Sequence, residues 1–240
     1  MRRIRIIGIM ILMAMMLSAC VEQEDPTEKR FSVLGDSFSS LEGTVDPETN
    51  AIWSSYPDIG ITSPEQMWWH KVAVETGWTL EKNNSFSGSL ICNLDVANYY
   101  GAHSYLRRMD NLGDPDVIFI FGGTNDIWDE AEFGDFVYSD WTEEQLCQIR
   151  PAIAYMFESL KRLYPRAAIY FLVDMDICSG GADDSTKQLF VESVHRIAKH
   201  CEVNTIDLWY IHKTWWHPDE KGQNDIARQV VEAMEADFNV

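Results

Sequence analysis

Basic residues are scarce in this sequence. Lys and Arg together number 19 against 38 Asp and Glu, so the 240-residue chain carries a formal net charge of −19. Binding to nucleic acid depends on clustered Lys and Arg that neutralise phosphates, and an acidic surface repels polyanions at long range. The composition therefore argues against a nucleic-acid partner, and we interpret the charge as a source of solubility.

Long apolar runs are also lacking, with one exception at the N-terminus. Three arginines among the first five residues precede an apolar run over residues 6–17, which is too short to span a bilayer comfortably as a mature helix. A positive segment, an apolar segment and small residues before a cleavage site are the pattern of a secretory leader. The ending Leu17-Ser18-Ala19-Cys20 resembles the bacterial lipobox, which implies cleavage before Cys20 and lipidation of its sulfur.

The chain thus divides into three predicted parts. These are a lipoprotein signal peptide (1–19), the lipidated Cys20 with an acidic tether (20–30), and one domain of ordinary size (31–240). The tether is too polar to fold by itself. We expect a monomer that contacts membrane through its lipid anchor only. The expected location is the outer membrane of a bacterial cell envelope, facing the periplasm or the surface.

Cysteine is sparse once Cys20 is set aside. Four remain, Cys92, Cys147, Cys178 and Cys201, and no two of them have C-x-x-C spacing. A zinc cluster is therefore not expected. An exported protein can oxidise its thiols, and four cysteines allow three pairings, so disulfides and buried thiols both stay open.

Short apolar runs alternate with helical patterns over the predicted domain. Capping boxes at Ser63 and Thr142 open two predicted helices, which end near residues 75 and 164. Such alternation is typical of a parallel sheet covered by helices on both faces. The predicted strands are 31–35, 78–82, 117–121, 168–173 and 203–208, and the two remaining helices are 184–200 and the segment after Pro218.

Residues suited to acyl transfer follow four of these strands. Ser37 follows the first, Gly88 the second, Asn125 the third and His217 the fifth. Each has an ordinary structural interpretation when taken alone, as a helix cap, a turn glycine, an Asx turn or a surface histidine. Because functional residues gather at the carboxyl ends of parallel strands, the four together indicate a nucleophile, two oxyanion donors and a base.

This pattern resembles the SGNH/GDSL hydrolases, in particular their bacterial lipoprotein esterase-like members. Residues 35–39 (Gly-Asp-Ser-Phe-Ser) resemble the nucleophile block, Gly88 the second block, residues 122–126 (Gly-Gly-Thr-Asn-Asp) the third, and residues 217–222 the final block. The resemblance covers nearly the whole predicted domain. It implies a three-layer α/β/α sandwich with a five-stranded parallel, flavodoxin-like sheet. No cofactor is expected, and no metal is expected because Asp and His show no recognisable ligand spacing.

The resemblance also implies a role for each residue. Ser37 attacks an ester carbonyl while His217 takes its proton. The oxyanion is held by the N–H groups of Ser37 and Gly88 and by the side chain of Asn125. Water then hydrolyses the acyl-enzyme, which makes the chain a serine esterase.

One departure from the family pattern is visible. The family usually carries an Asp three residues before the catalytic histidine, and Thr214 stands there. A main-chain carbonyl near Thr214 could orient His217 and leave a working dyad, which we favour. Another acid, Asp219 or Asp207, could substitute, or the enzyme could be weakened or inactive. His212 is a rival base.

Tryptophans flank the predicted site. Trp128 follows Asn125 closely, and Trp215 and Trp216 directly precede His217, so we expect these three to bind substrate unless they pack in the core. Aromatic faces suit a sugar ring or an aromatic acyl group. The leading hypothesis is an esterase that removes small acyl groups from glycans. The alternatives are a lipase or lysophospholipase, and an inactive, surface glycan-binding lipoprotein.

Overall fold

The computed structural model describes residues 29–41, 59–94, 101–178 and 181–238. The predicted leader, Cys20 and nearly all of the tether lie outside the described residues. The first strand begins at Arg30, so regular structure starts at the last residue that the sequence assigned to the tether. Within the described ranges, no helix combines the length and the apolar character needed to cross a membrane.

Five parallel strands form one sheet in the order β2-β1-β3-β4-β5. This strand order is the flavodoxin-like one, so the predicted architecture is confirmed. The strands are β1 (Arg30–Gly35), β2 (Thr79–Ser85), β3 (Val117–Phe121), β4 (Ala168–Asp174) and β5 (Asn204–Leu208).

Helices cover both faces of this sheet and complete the three layers. Val33 and Phe119 point into the core beneath α1 and α6, whereas Ile120 and Phe171 point into the core beneath α4 and α5. Strands covered on both sides are apolar at nearly every position, which is why β3 and β4 stand out in the sequence. The helices are α1 (Trp68–Thr76), α2 (Tyr105–Arg108), α3 (Thr124–Trp128), α4 (Ile149–Leu163), α5 (Asp184–Cys201) and α6 (Glu220–Phe238).

The edge strand β2 runs further than the sequence predicted. Its last residues, Asn83, Asn84 and Ser85, are polar and yet buried. Their side chains bond to the protein interior: Asn83 Nδ2 donates to the Ser39 carbonyl at 2.9 Å and Asn84 Nδ2 to the Arg108 carbonyl at 2.9 Å. Hydrophobic patterning cannot detect a strand end that is stabilised in this way.

The helix predicted from Thr142 is wrong in its first part. Thr142 does form a capping box with Gln145, but it caps a single 3₁₀ turn, Gln145–Cys147. The backbone is extended at Gln148, and α4 begins only at Ile149, whose N–H donates to the carbonyl of Glu132. The Ile149 N–H is therefore bonded to a neighbouring loop and not to the preceding helical turn that the capping box predicts. The Ser63 box likewise caps a 3₁₀ turn, Pro64–Gln66, just ahead of α1.

A two-stranded hairpin, which the sequence did not reveal, precedes α6. Strands β6 (Lys213–Thr214) and β7 (His217–Pro218) are antiparallel, with Thr214 opposite His217. Trp215 and Trp216 form the two-residue turn between them, and Trp215 has a left-handed φ of 63°. The turn therefore places both indole rings at the tip of the hairpin.

All four cysteines of the domain fall within the described ranges, and all four are free thiols. Cys92, Cys178 and Cys201 are buried, and Cys147 is partly exposed. Of the two possibilities left open by the sequence, the structure thus shows thiols.

The glycine pair that follows β3 yields a test of the packing. Gly123 has a φ of +103°, and a Cβ there would lie 2.1 Å from the Phe190 ring. We expect Gly123→Ala to lower the free energy of unfolding by more than about 2 kcal/mol, since backbone strain and overpacking add. Urea unfolding measures this loss.

Gly77→Ala is the matched control for that measurement. Gly77 has a φ of +71°, but no described atom lies within 4 Å of its added Cβ. It should lose only about 1 to 2 kcal/mol, the cost of a left-handed alanine. Equal losses in the two variants would contradict the packing described for Gly123.

Candidate active site

The strand register brings the starts of three loops together. Gly35 at the end of β1 lies beside Ser85 on β2 and Phe121 on β3. The turn with Ser37, the loop with Gly88 and the start of α3 consequently leave the sheet at the same edge. Residues that are far apart in sequence therefore become neighbours.

Ser37 and His217 are in contact at this edge. Ser37 Oγ lies 2.9 Å from His217 Nε2, a hydrogen-bond distance, although 180 residues separate the two in sequence. Ser37 is buried and His217 is partly exposed. The pair has the geometry of a hydroxyl and the base that can take its proton.

A tight turn holds Ser37 in place. Asp36 Oδ1 accepts the Phe38 N–H at 2.9 Å, and the Asp36 carbonyl accepts the N–H groups of Ser39 and Ser40 at 3.2 and 3.0 Å. The Ser39 carbonyl in turn accepts the indole N–H of Trp69 at 2.9 Å. Ser37 thus lies on a braced turn rather than at the start of a helix.

The Gly88 loop, residues 86–92, lies against α3. Gly88 has a φ of +78°, where glycine is favoured. Asn125 Nδ2 donates to the carbonyl of the next residue, Ser89, at 2.9 Å. The Asp126 carboxylate accepts the N–H groups of Ile91 and Cys92 at 2.9 and 3.0 Å. An amide nitrogen carries two hydrogens, so Asn125 can donate to a ligand as well as to Ser89.

The imidazole of His217 lies among aromatic rings. The rings of Phe38 and Trp216 have centroids 5.6 and 6.0 Å from it. Burial disfavours the charged imidazolium and lowers the pKa of His217 to about 4. The ring is therefore neutral at pH 7 and able to accept a proton.

Asp219 does not take the place of the missing family carboxylate. Its Oδ2 accepts the Thr214 hydroxyl at 2.9 Å and lies 2.7 Å from His212 Nδ1, and its Oδ1 accepts the Gly222 N–H at 3.0 Å. Those hydrogen bonds hold the pKa of Asp219 below its usual value despite partial burial. The rival base His212 is therefore bound to Asp219, whereas the contact to Ser37 is made by His217.

Asp207, the other candidate acid, is also bound elsewhere. Its Oδ1 lies 2.7 Å from Nε2 of His195 on α5. Neither Asp207 nor Asp219 hydrogen-bonds to His217 within the described part of the chain. In the described contacts, Asp207 and Asp219 thus engage two other histidines, His195 and His212.

A buried ion pair fixes the hairpin that carries His217. Lys213 Nζ lies 2.6 Å from Oδ2 of Asp174 at the end of β4 and donates to the Asp176 carbonyl at 2.9 Å. Both charged side chains are almost fully buried. Burial raises the pKa of Asp174 even though Lys213 opposes this. Sequence reasoning missed this pair because a lone lysine near a histidine carries no pattern.

Three tryptophans form an exposed cluster beside His217. The ring centroids of Trp128 and Trp216 are 5.6 Å apart, and those of Trp216 and Trp215 are 5.8 Å apart. Their exposed fractions are 51%, 41% and 75% for Trp128, Trp216 and Trp215, which excludes the core-packing alternative. We refer to these three residues as the tryptophan cluster. Such a contiguous exposed aromatic surface is typical of a binding site.

Comparisons with known proteins identify the family of this chain. The family model described as GDSL-like lipase/acylhydrolase matches residues 29–234. The chain therefore belongs to the GDSL-like lipase/acylhydrolase family. Within that family it is a serine hydrolase of carboxylic esters. A search of curated proteins gave no significant match.

Two solved structures are close to this chain. A GDSL-like lipase candidate from Bacteroides ovatus is 42% identical, with a TM-score of 0.77 over 87% of this chain and 99% of that one. A second from Bacteroides uniformis is 37% identical, with a TM-score of 0.76 over 87% and 96%. A family two carbohydrate esterase from Clostridium thermocellum, solved with cellohexaose, is 16% identical over 89% of this chain and 66% of that one. With a TM-score of 0.61, it shares the fold.

The lowered pKa of His217 yields a prediction about titration. We expect the His217 imidazole to titrate near pH 4. NMR measures this titration, and the His217 signal is assigned by its absence in His217→Asn. Because this pKa lies below the unfolded value, about 6.5, the neutral ring contributes stability that is complete above about pH 6.5. That contribution is lost as the pH falls from 6.5 towards 4. A His217 signal that titrates at 6.5 would contradict the desolvated, aromatic surroundings of this ring.

Proposed function

We propose that this chain removes small acyl groups from glycans, with Ser37 as nucleophile and His217 as general base. The observation that carries the proposal is the 2.9 Å contact between Ser37 Oγ and His217 Nε2. A serine hydroxyl is a weak nucleophile until a neighbouring base accepts its proton. The low pKa of His217, about 4, keeps that base neutral at pH 7.

The proposed reaction has two halves. Ser37 Oγ attacks the ester carbonyl carbon as its proton passes to His217 Nε2, and the tetrahedral oxyanion forms. The N–H groups of Ser37 and Gly88 and the Asn125 amide stabilise that oxyanion. The intermediate expels the alcohol, which takes the proton from His217. Water then attacks the acyl-enzyme with His217 again as base, and the carboxylic acid and free Ser37 are released.

We propose that Ser37 and His217 act as a dyad. Thr214 occupies the usual position of the third residue, and its hydroxyl donates to Asp219. A fixed position of His217 supports its role as the base, since the Lys213–Asp174 ion pair ties the histidine hairpin to the end of β4. A main-chain carbonyl that accepts the Nδ1 proton of His217 would fix the tautomer with Nε2 free to act as base.

The tryptophan cluster supports a glycan as the substrate. Indole faces offer large, rigid contact area with a polar edge, which suits the faces of sugar rings. A lipase or lysophospholipase remains the alternative within enzymes. Carbohydrate esterases such as that of Clostridium thermocellum, solved with cellohexaose, are built on the same fold. We also propose that lipidated Cys20 anchors the enzyme to the bacterial outer membrane, where glycans at the cell envelope are within reach.

The first test is covalent labelling of Ser37. Wild-type protein should react with a fluorophosphonate at neutral pH, and Ser37→Ala should lose labelling and at least about 10⁴-fold of its esterase turnover. Ser40→Ala is the matched control, because Ser40 is buried nearby and its hydroxyl has no hydrogen-bond partner among the described residues. Folded wild-type protein that binds glycans but resists labelling would instead indicate an inactive binding module. The feature that supports this alternative is Thr214, which stands where the family usually carries an Asp.

The second test concerns the tryptophan cluster. Trp128→Ala should raise KM for an acetylated oligosaccharide about tenfold, since a stacking surface is lost, and leave hydrolysis of nitrophenyl acetate nearly unchanged. Trp209→Ala is the control, because Trp209 is 50% exposed, much like Trp128, and its ring contacts Tyr210 instead of a member of the cluster. A wild-type preference for long-chain over acetyl nitrophenyl esters, with no effect of Trp128→Ala on the glycan, would favour the lipase alternative.

A further inference from the structure

We propose that Arg108 is a positioning residue of this site, whose guanidinium holds the Ser37 turn and the Gly88 loop in one fixed arrangement. The proposal rests on the roles proposed above for Ser37 and Gly88. Arg108 ends the short helix α2 and is only 3% exposed. A buried arginine behind a reaction centre is unusual, since arginine is seldom buried unless its donors are satisfied.

The guanidinium of Arg108 spans three separate segments. Its Nη2 donates to the Gly35 carbonyl at 3.1 Å and to Ser89 Oγ at 2.9 Å. Its Nη1 donates to the Asn84 carbonyl, and its Nε donates to the His103 carbonyl at 2.7 Å. One planar group therefore joins the ends of β1 and β2 to the Gly88 loop.

The two acceptors of Nη2 lie next to the proposed reaction groups. Gly35 is the last residue of β1, and its carbonyl also accepts the N–H of Phe86 at 3.0 Å. Ser89 follows Gly88 directly, and its carbonyl accepts the Asn125 amide at 2.9 Å. A shift of Arg108 would move Ser37 relative to the oxyanion donors, and small misplacements of this kind are costly in catalysis.

The charge of Arg108 interacts with a buried carboxyl group. Asp36 is only 1% exposed and is coupled electrostatically to Arg108. Burial lowers the pKa of Arg108 to about 10, so it stays protonated at neutral pH. Burial raises the pKa of Asp36 to about 7. Arg108 therefore holds a protonated guanidinium against the Gly35 carbonyl and the Ser89 hydroxyl.

Replacing arginine by lysine distinguishes a positioning role of Arg108 from a purely electrostatic one. Arginine offers a rigid planar fork of five donors, whereas lysine offers a flexible point charge. Arg108→Lys keeps the charge but cannot bridge Gly35 and Ser89 in the same way. Ser89→Ala removes one arm of the bridge and leaves the other bonds of Arg108 intact. Arg107→Met is the matched control, because Arg107 is the preceding residue of α2 and is exposed.

The experiment compares Arg108→Lys, Ser89→Ala, their double variant and Arg107→Met in the full chain. The measurements are kcat and KM for nitrophenyl acetate, the stoichiometry and rate of fluorophosphonate labelling, and thermal unfolding. We expect Arg108→Lys to lower kcat about 10²-fold with KM changed less than about threefold, and to label fully but slowly. Ser89→Ala should lower kcat less, and the double variant should fall short of the product of the two single effects.

Several outcomes would overturn the proposal. If Arg108→Lys labels only in part, with wild-type kcat for each labelled site, then Arg108 is merely structural. Loss of kcat in Arg107→Met equal to that in Arg108→Lys also refutes it. If Arg108→Lys does not fold, wild-type kcat in Ser89→Ala refutes it. Wild-type protein that neither labels nor hydrolyses esters would remove the proposed function itself, and the role of Arg108 with it.

Discussion

The register of three parallel strands is the constraint on which the site depends. Gly35 lies beside Ser85 and Phe121, so β1, β2 and β3 end at the same level. The loops that follow these strands therefore all leave the sheet at one edge. The loops that carry Ser37, Gly88 and Asn125 all start at this edge. A slip of one residue would move every side chain of a strand to the opposite face of the sheet and would shift the loop that follows, so the pairing that builds the core also fixes the site.

The histidine reaches this edge by a different route. His217 lies on a small hairpin outside the main sheet, and its position depends on a few polar contacts rather than on strand pairing with β1. The Lys213–Asp174 ion pair ties the hairpin to β4, and Asp219 links Thr214 to the start of α6. Thr214, which stands where the family usually carries an acid, therefore contributes to the position of the hairpin, because its hydroxyl donates to Asp219. Removing one partner of a buried pair is costly, so this part of the site has little tolerance for change.

The sequence predicts most of the fold because the fold follows from buried strands. The apolar run of β3 and the glycines after it mark both an inner strand and its functional end. The same reasoning fails where partners are distant in sequence: Arg108 and Gly35 are 73 residues apart, and Lys213 and Asp174 are 39 apart. Neither pairing leaves a local pattern. The Thr142 capping box fails for a related reason, since the carbonyl of Glu132 accepts the N–H that a longer helix would have used.

In the proposed mechanism, a hydroxyl, an imidazole and the oxyanion donors converge on one point of the sheet edge. The most direct measurement is a crystal structure of the protein after reaction with a phosphonate inhibitor. The account predicts phosphorus bonded to Ser37 Oγ, with its anionic oxygen about 2.7–3.1 Å from the N–H groups of Ser37 and Gly88 and from Asn125 Nδ2. A phosphonyl oxygen that faces solvent, or an adduct on another residue, would contradict it.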